Sequence, residues 1–98
     1  MIKSIESTIW GKSLNHKYVL WVHNNATRLG LKGIVFFKND GSIKIIAEGE
    51  EENLLFFIKK LQRGRYFFPI FSQIENFSIV WQTPKHEFED FSISEALE

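Results

Sequence analysis

The sequence predicts an α+β sandwich: an antiparallel sheet with two helices on one face and an extra strand at the C-terminus. Three observations lead there. Segments of period-two apolar residues and segments of helical period follow in the order strand-helix-strand-strand-helix-strand, with a final short strand. An Asn-Asp-Gly turn joins the second and third strands into a hairpin. The chain has 98 residues, 44% of them hydrophobic and 15% aromatic. At that size roughly 60–65% of the unfolded surface is buried, enough for one core, so residues 1–98 read as a single domain.

In the first strand Ile5, Ser7 and Ile9 alternate with Glu6, Thr8 and Trp10, and Gly11 ends it. Lys12 to Lys17 is polar apart from Leu14 and has no clear period, so it reads as a loop. From Tyr18 the period changes. Tyr18, Val22, Ala26 and Leu29 share one helical face, Gly30 is placed to cap the end, and His23, Asn24, Asn25 and Arg28 face outward. Gly33 to Phe37 is the second strand. Asn39-Asp40-Gly41 is the turn, and Ser42 to Ala47 the return strand, ended by Glu48-Gly49. Glu50, Glu51 and Glu52 open the second helix, where acidic residues suit the positive end of the helix dipole. Leu54, Phe57, Ile58 and Leu61 line its inner face, and Gly64 is expected to stop it. Arg65 to Phe71 reads as a connection rich in aromatics, with Pro69 arguing against an interior strand. Ile74 to Trp81 is the fourth strand, Thr83-Pro84-Lys85 a turn, Phe88 to Ile93 the last strand, and Ser94 to Glu98 a fraying tail. This order is the split βαβ, ferredoxin-like layout.

Twelve basic and twelve acidic residues cancel. A neutral chain has no overall field to draw it to nucleic acid or an anionic membrane. RNA-recognition domains share the strand and helix order, but their aromatic-basic signature on the central strands is missing here. There is no cysteine, which excludes disulfides, thiolate chemistry and cysteine-based zinc sites. His16 and His23 lack a third ligand at fitting spacing, so no metal is expected. Lys3 and Glu6 interrupt the first apolar stretch, and the longest apolar run is six residues, Tyr66 to Phe71. Neither a signal peptide nor a bilayer span is expected, and a cytoplasmic location follows as the simplest setting.

The segment from Gly11 to Gly64 resembles the acylphosphatase family without a gap. The matching residues are Gly11, Ala26, Leu29-Gly30-Leu31, Gly33, Val35, Asp40-Gly41, Ala47-Glu48-Gly49, Leu54, Phe57-Ile58, Leu61 and Gly64. Trp81 and Phe88 to Ile93 resemble the family's closing strands. The resemblance implies a first strand ending in G-x-V-Q-G-V-x-F-R, whose backbone N–H groups nest a phosphate and whose arginine orients it. It further implies an asparagine on the second strand that positions the attacking water, with no cofactor or metal. Here that loop reads Gly11-Lys-Ser-Leu14-Asn15-His16-Lys17-Tyr18-Val19. Val19 occupies the arginine position and Phe37 the asparagine position, so neither catalytic residue is intact. Valine offers no charge or donor for a phosphate, and phenylalanine cannot bond a water. Asn15 tolerates a left-handed backbone better than most residues, so the nest is expected to keep its shape.

Two functions follow. The first is an acylphosphatase-like protein that has lost its activity and serves as a binding or interaction module. Its ligand would be a small anion at the Leu14-to-Tyr18 loop. Its partner would be a protein or a second copy, held through residues 65–71, where Tyr66, Phe67, Phe68 and Phe71 cluster. The second is a divergent acylphosphatase that hydrolyses acyl phosphates through the same backbone cradle, with Lys17 or His16 as the cation. Arg28 lies too far along the helix to help, and Asn39 and His86 serve turns.

Overall fold

The computed structural model describes residues 1–11, 14–67 and 74–94. The elements are β1 (Ile2–Gly11), α1 (His16–Arg28), β2 (Lys32–Phe37), β3 (Ile43–Glu50), α2 (Glu51–Phe67), β4 (Ile74–Gln82) and β5 (Phe91–Ile93). They form one five-stranded sheet in the order β4-β1-β3-β2-β5. This is the expected α+β layout. The first four strands pair antiparallel, and β5 adds to β2 in parallel, with Gly33 opposite Phe91.

The period-two reading holds in the sheet. Ile5, Ser7, Ile9, Val35, Ile43, Ile45 and Ala47 are buried. From the helices come Tyr18, Val19, Val22, Ala26, Leu54, Phe57 and Leu61. Lys44 and Glu6 alternate onto the other face, where Lys44 Nζ meets Glu6 Oε2 at 2.6 Å. That hydrogen bond holds the Glu6 carboxyl below the usual glutamate range.

Helix α1 closes as a Schellman motif: Leu31 N–H donates to Ala26 O and Gly30 N–H to Thr27 O, both at 3.0 Å. Gly30 takes a φ of 73° there, as its place past the helix end predicts. Asn25 does not face outward. It is 7% exposed, because its Nδ2 bonds the Trp21 carbonyl one turn back at 2.8 Å and so needs no water. In the hairpin Gly41 N–H donates to Lys38 O at 3.0 Å, and only Gly41 has a positive φ. Asp40 Oδ1 accepts from the Ser42 amide and hydroxyl, which holds the Asp40 carboxyl low.

Three boundaries differ from expectation. Strand β3 runs on through Glu48 and Gly49 to Glu50, because β1 pairs with it as far as Ile2 opposite Glu50. Helix α2 continues through Gly64 to Phe67. A helical glycine costs only about 1 kcal/mol, too little to end a helix by itself. Thr83-Pro84-Lys85 is no turn but part of an irregular span over residues 83–88. Strand β4 lies at one edge of the sheet and β5 at the other, so this span must cross the sheet end. Glu48 on the middle strand holds it there: Lys85 N–H donates to Oε2 at 2.8 Å and His86 N–H to Oε1 at 3.1 Å. Glu48 is 5% exposed, and His86 adopts a φ of 58° beside it. The last strand is correspondingly shorter, beginning at Phe91. Ser94 adds one more bond to the sheet, its N–H donating to Val35 O at 2.9 Å.

Ser7 is fully buried on β1, and its Oγ has no hydrogen-bond partner among the described residues. An unmet buried hydroxyl costs more than its loss. Ser7→Ala is therefore expected to stabilise the fold by about 1 kcal/mol, seen as a rise of ~4–8 °C in melting temperature. An unchanged or lowered melting temperature would mean that the hydroxyl is bonded.

Candidate functional site

The loop between β1 and α1 and the end of β2 bring the expected site residues to one end of the sheet. Leu14 is half-buried and packs against the core. Asn15 is exposed and caps α1. Its carbonyl accepts from Tyr18 N–H at 3.1 Å and Val19 N–H at 3.3 Å, and its Oδ1 accepts from Tyr18 N–H at 3.3 Å. Asparagine is a preferred N-cap for this reason.

The cap changes what the loop offers. Asn15 has φ −141° and ψ −178°, extended backbone rather than the left-handed form expected of a nest. The amides of Tyr18 and Val19 turn inward to Asn15. Donors that a phosphate cradle aims outward are thus spent on starting the helix early, at His16 rather than near Tyr18.

Val19 is 1% exposed and belongs to the hydrophobic core. Phe37 is half-buried against the same core. The His16 ring meets the Phe37 ring edge-on, with centroids 6.0 Å apart and planes at 79°. His16 and Lys17 are exposed. Tyr18 is wholly buried and lies against the Trp21 ring at 5.6 Å. Burial pushes its phenol above the ordinary range, so it stays protonated and uncharged near neutral pH. The first turn of α1 has no acidic residue to offset its positive dipole end, and Lys17 adds a positive charge there.

The structure therefore brings these residues to one end of the sheet but divides them: Leu14, Tyr18, Val19 and Phe37 pack into or against the core, while Asn15, His16 and Lys17 are exposed at the start of the helix. Arg28 sits at the other end of α1, about 18 Å away along the axis. His23 is turned toward Phe91, with ring centroids 6.2 Å apart. Among the described residues no three His, Cys, Asp or Glu side chains gather to hold a metal. No helix among them is long and apolar enough to cross a membrane.

The aromatic segment divides. Positions 66 and 67 belong to the last turn of α2, because the helix does not stop at Gly64. Phe68 and Phe71 lie outside the described residues. A second apolar feature on the same helix escaped the sequence reading. Leu55 is 45% and Phe56 57% exposed on the face of α2 turned away from the sheet. The continuous run Leu54-Leu55-Phe56-Phe57-Ile58 was the available signal, since five apolar residues in a row cannot all fit one helical face.

Comparison with known proteins bears on this arrangement. The acylphosphatase family profile matches residues 6–93. An acylphosphatase of Caldanaerobacter subterraneus subsp. tengcongensis is 31% identical over 72 residues, covering 74% of this chain and 76% of that protein. One from Thermotoga petrophila is 38% identical over 68 residues, covering 69% and 70%. The crystal structure of acylphosphatase from Bacillus subtilis matches 96% of this chain and 99% of its own, with a TM-score of 0.79 at 23% identity. At that identity it speaks for the fold alone.

Proposed function

The chain belongs to the acylphosphatase family, and we propose that it has lost phosphatase activity and works as a binding module. The observation that carries this reading is the fate of two positions. The arginine position is Val19, 1% exposed in the core, and the asparagine position is Phe37, packed against that core. Neither offers a hydrogen bond to a phosphoryl oxygen or a water. Losing one such preorganised donor typically costs ~10²–10³ in rate. The inward-turned amides of Tyr18 and Val19 remove part of the cradle as well.

The binding role draws on the exposed apolar surface of α2. That surface, formed by Leu55 and Phe56, suits a protein partner better than a small anion. We propose no nucleic-acid or membrane partner and place the protein in the cytoplasm, in keeping with its neutral charge and lack of cysteine.

The test is hydrolysis of benzoyl phosphate by the purified chain, beside an authentic acylphosphatase and a protein-free blank. We expect the rate of the blank. The competing reading, a divergent acylphosphatase, is favoured by the acid-free first turn of α1 with Lys17 and His16 exposed beside it. It predicts turnover above the blank that Lys17→Ala or His16→Ala abolishes.

A further inference from the structure

We propose that a second copy of this chain docks on the outer face of α2, the two helices antiparallel about a two-fold axis between Leu55 and Phe56. The face is formed by four exposed residues, Glu52, Leu55, Phe56 and Lys59, with Glu51 and Lys60 at its opposite flanks. The apolar side of α2 that the fold needs is already supplied by Leu54, Phe57 and Leu61. Leu55 and Phe56 are surplus to it. With Glu52 and Lys59 they line a surface depression of about 190 Å³.

The charges on this face are ordered, acids before the apolar pair and bases after it. A two-fold axis level with the midpoint of positions 55 and 56 sets position 52 of one copy opposite position 59 of the other, since seven residues return to within about 20° of the same side of the helix. Glu52 of each copy then meets Lys59 of the other, and Leu55 and Phe56 pack against their counterparts across the axis. A surface complementary to itself is what an isologous contact requires. A parallel arrangement would set glutamate against glutamate and lysine against lysine. The antiparallel one also opposes the helix dipoles favourably.

Other uses for these charges are few. Glu51 Oε1 meets Lys3 Nζ at 3.3 Å, a contact open to solvent. Glu52 and Lys59 have no ion-pair partner among the described residues, and two helical turns, about 11 Å, keep them from each other. The pair that steers docking is therefore Glu52 with Lys59 of the second copy. The net charge of zero puts no repulsion between copies. One helix face per copy is a small interface, so the dissociation constant belongs in the micromolar range.

Analytical ultracentrifugation of the whole chain at about 100 µM, well above a micromolar dissociation constant, is expected to show a dimer. Glu52→Lys places two lysine pairs in the contact and Lys59→Glu two glutamate pairs. Each alone should weaken the dimer about tenfold or more. The combined Glu52→Lys and Lys59→Glu exchange restores complementarity and should bring the dissociation constant back to within about threefold of the parent. All four proteins should share one far-UV circular dichroism spectrum, since both positions are exposed. A monomeric parent at that concentration, single reversals without effect, or a double exchange that fails to recover the dimer would each overturn the proposal. The proposal names the partner of the binding-module reading but does not depend on lost catalysis. Hydrolysis and self-association are separate measurements, and either can fail alone.

Discussion

Gly33→Ala is expected to lower the melting temperature by at least ~12 °C, or to prevent folding altogether. Gly33 has a φ of 148°, a conformation that side chains rarely adopt. A Cβ placed there would lie 1.8 Å from the Ile46 carbonyl oxygen and 2.8 Å from its carbon. That oxygen belongs to the main chain of β3, the neighbouring strand, so it cannot swing aside. The Gly33 amide meanwhile donates to Asp90 O at 2.9 Å, at the point where β5 joins β2. Making room for a methyl group would disturb both neighbours of β2 at once. Strain and lost pairing together should cost about 3 kcal/mol or more, which in a domain of this size is the stated shift. Gly30→Ala is the control. Its φ is also positive, at 73°, but nothing lies within 4 Å of the place its methyl group would take, so it should cost only about 1–2 kcal/mol. Equal melting temperatures for the two variants would refute this account of Gly33.

Val19→Arg, which places an arginine where the family resemblance implies one, is expected to destabilise the protein by about 3–5 kcal/mol and to produce no hydrolysis. Val19 sits in the first turn of α1, 1% exposed among core side chains, and its amide is held by Asn15. A guanidinium in that place would be cut off from solvent among core side chains. Thermal unfolding and benzoyl phosphate turnover of the same preparation decide the matter. A variant that keeps the parent's melting temperature and hydrolyses the substrate would mean that the arginine reaches the loop after all, and that activity hangs on this one residue.

The parts of the fold that were legible in the sequence are those set by local periodicity. Ile5, Ser7 and Ile9, the helical face from Tyr18 to Ala26, and the inner stripe of α2 all lie where their spacing puts them. The misread positions depend on partners distant in the chain. Gly64 looks like a stop, yet propensity alone is too weak to end a helix that tertiary contacts carry onward. Glu48 looks like the end of a strand, but it is a buried anchor for amides 37 and 38 residues further on. No local pattern marks that role. Asn25 looks solvated because its carbonyl partner, Trp21, is invisible to a polarity reading. At the site, the apolar character of Val19 and Phe37 could be seen from residue type. The conversion of the loop into a helix cap could not, because Asn15 suits both a nest and an N-cap and only the backbone angle separates them.

The place of β1 between β3 and β4 also governs how the protein is made. Ile5 and its neighbours leave the ribosome before the other strands, and their pairs on β4 are synthesised about 70–80 residues later, roughly 4–16 s at ordinary rates of elongation. Until then this interior strand of the sheet can be completed on only one side, by β3. The nascent chain must therefore keep Ile5 and Ile9 from other partners through most of its synthesis. Pairing β1 with β4 closes a loop of about 70 residues, a non-local contact of the kind that slows folding relative to a helical bundle of this size.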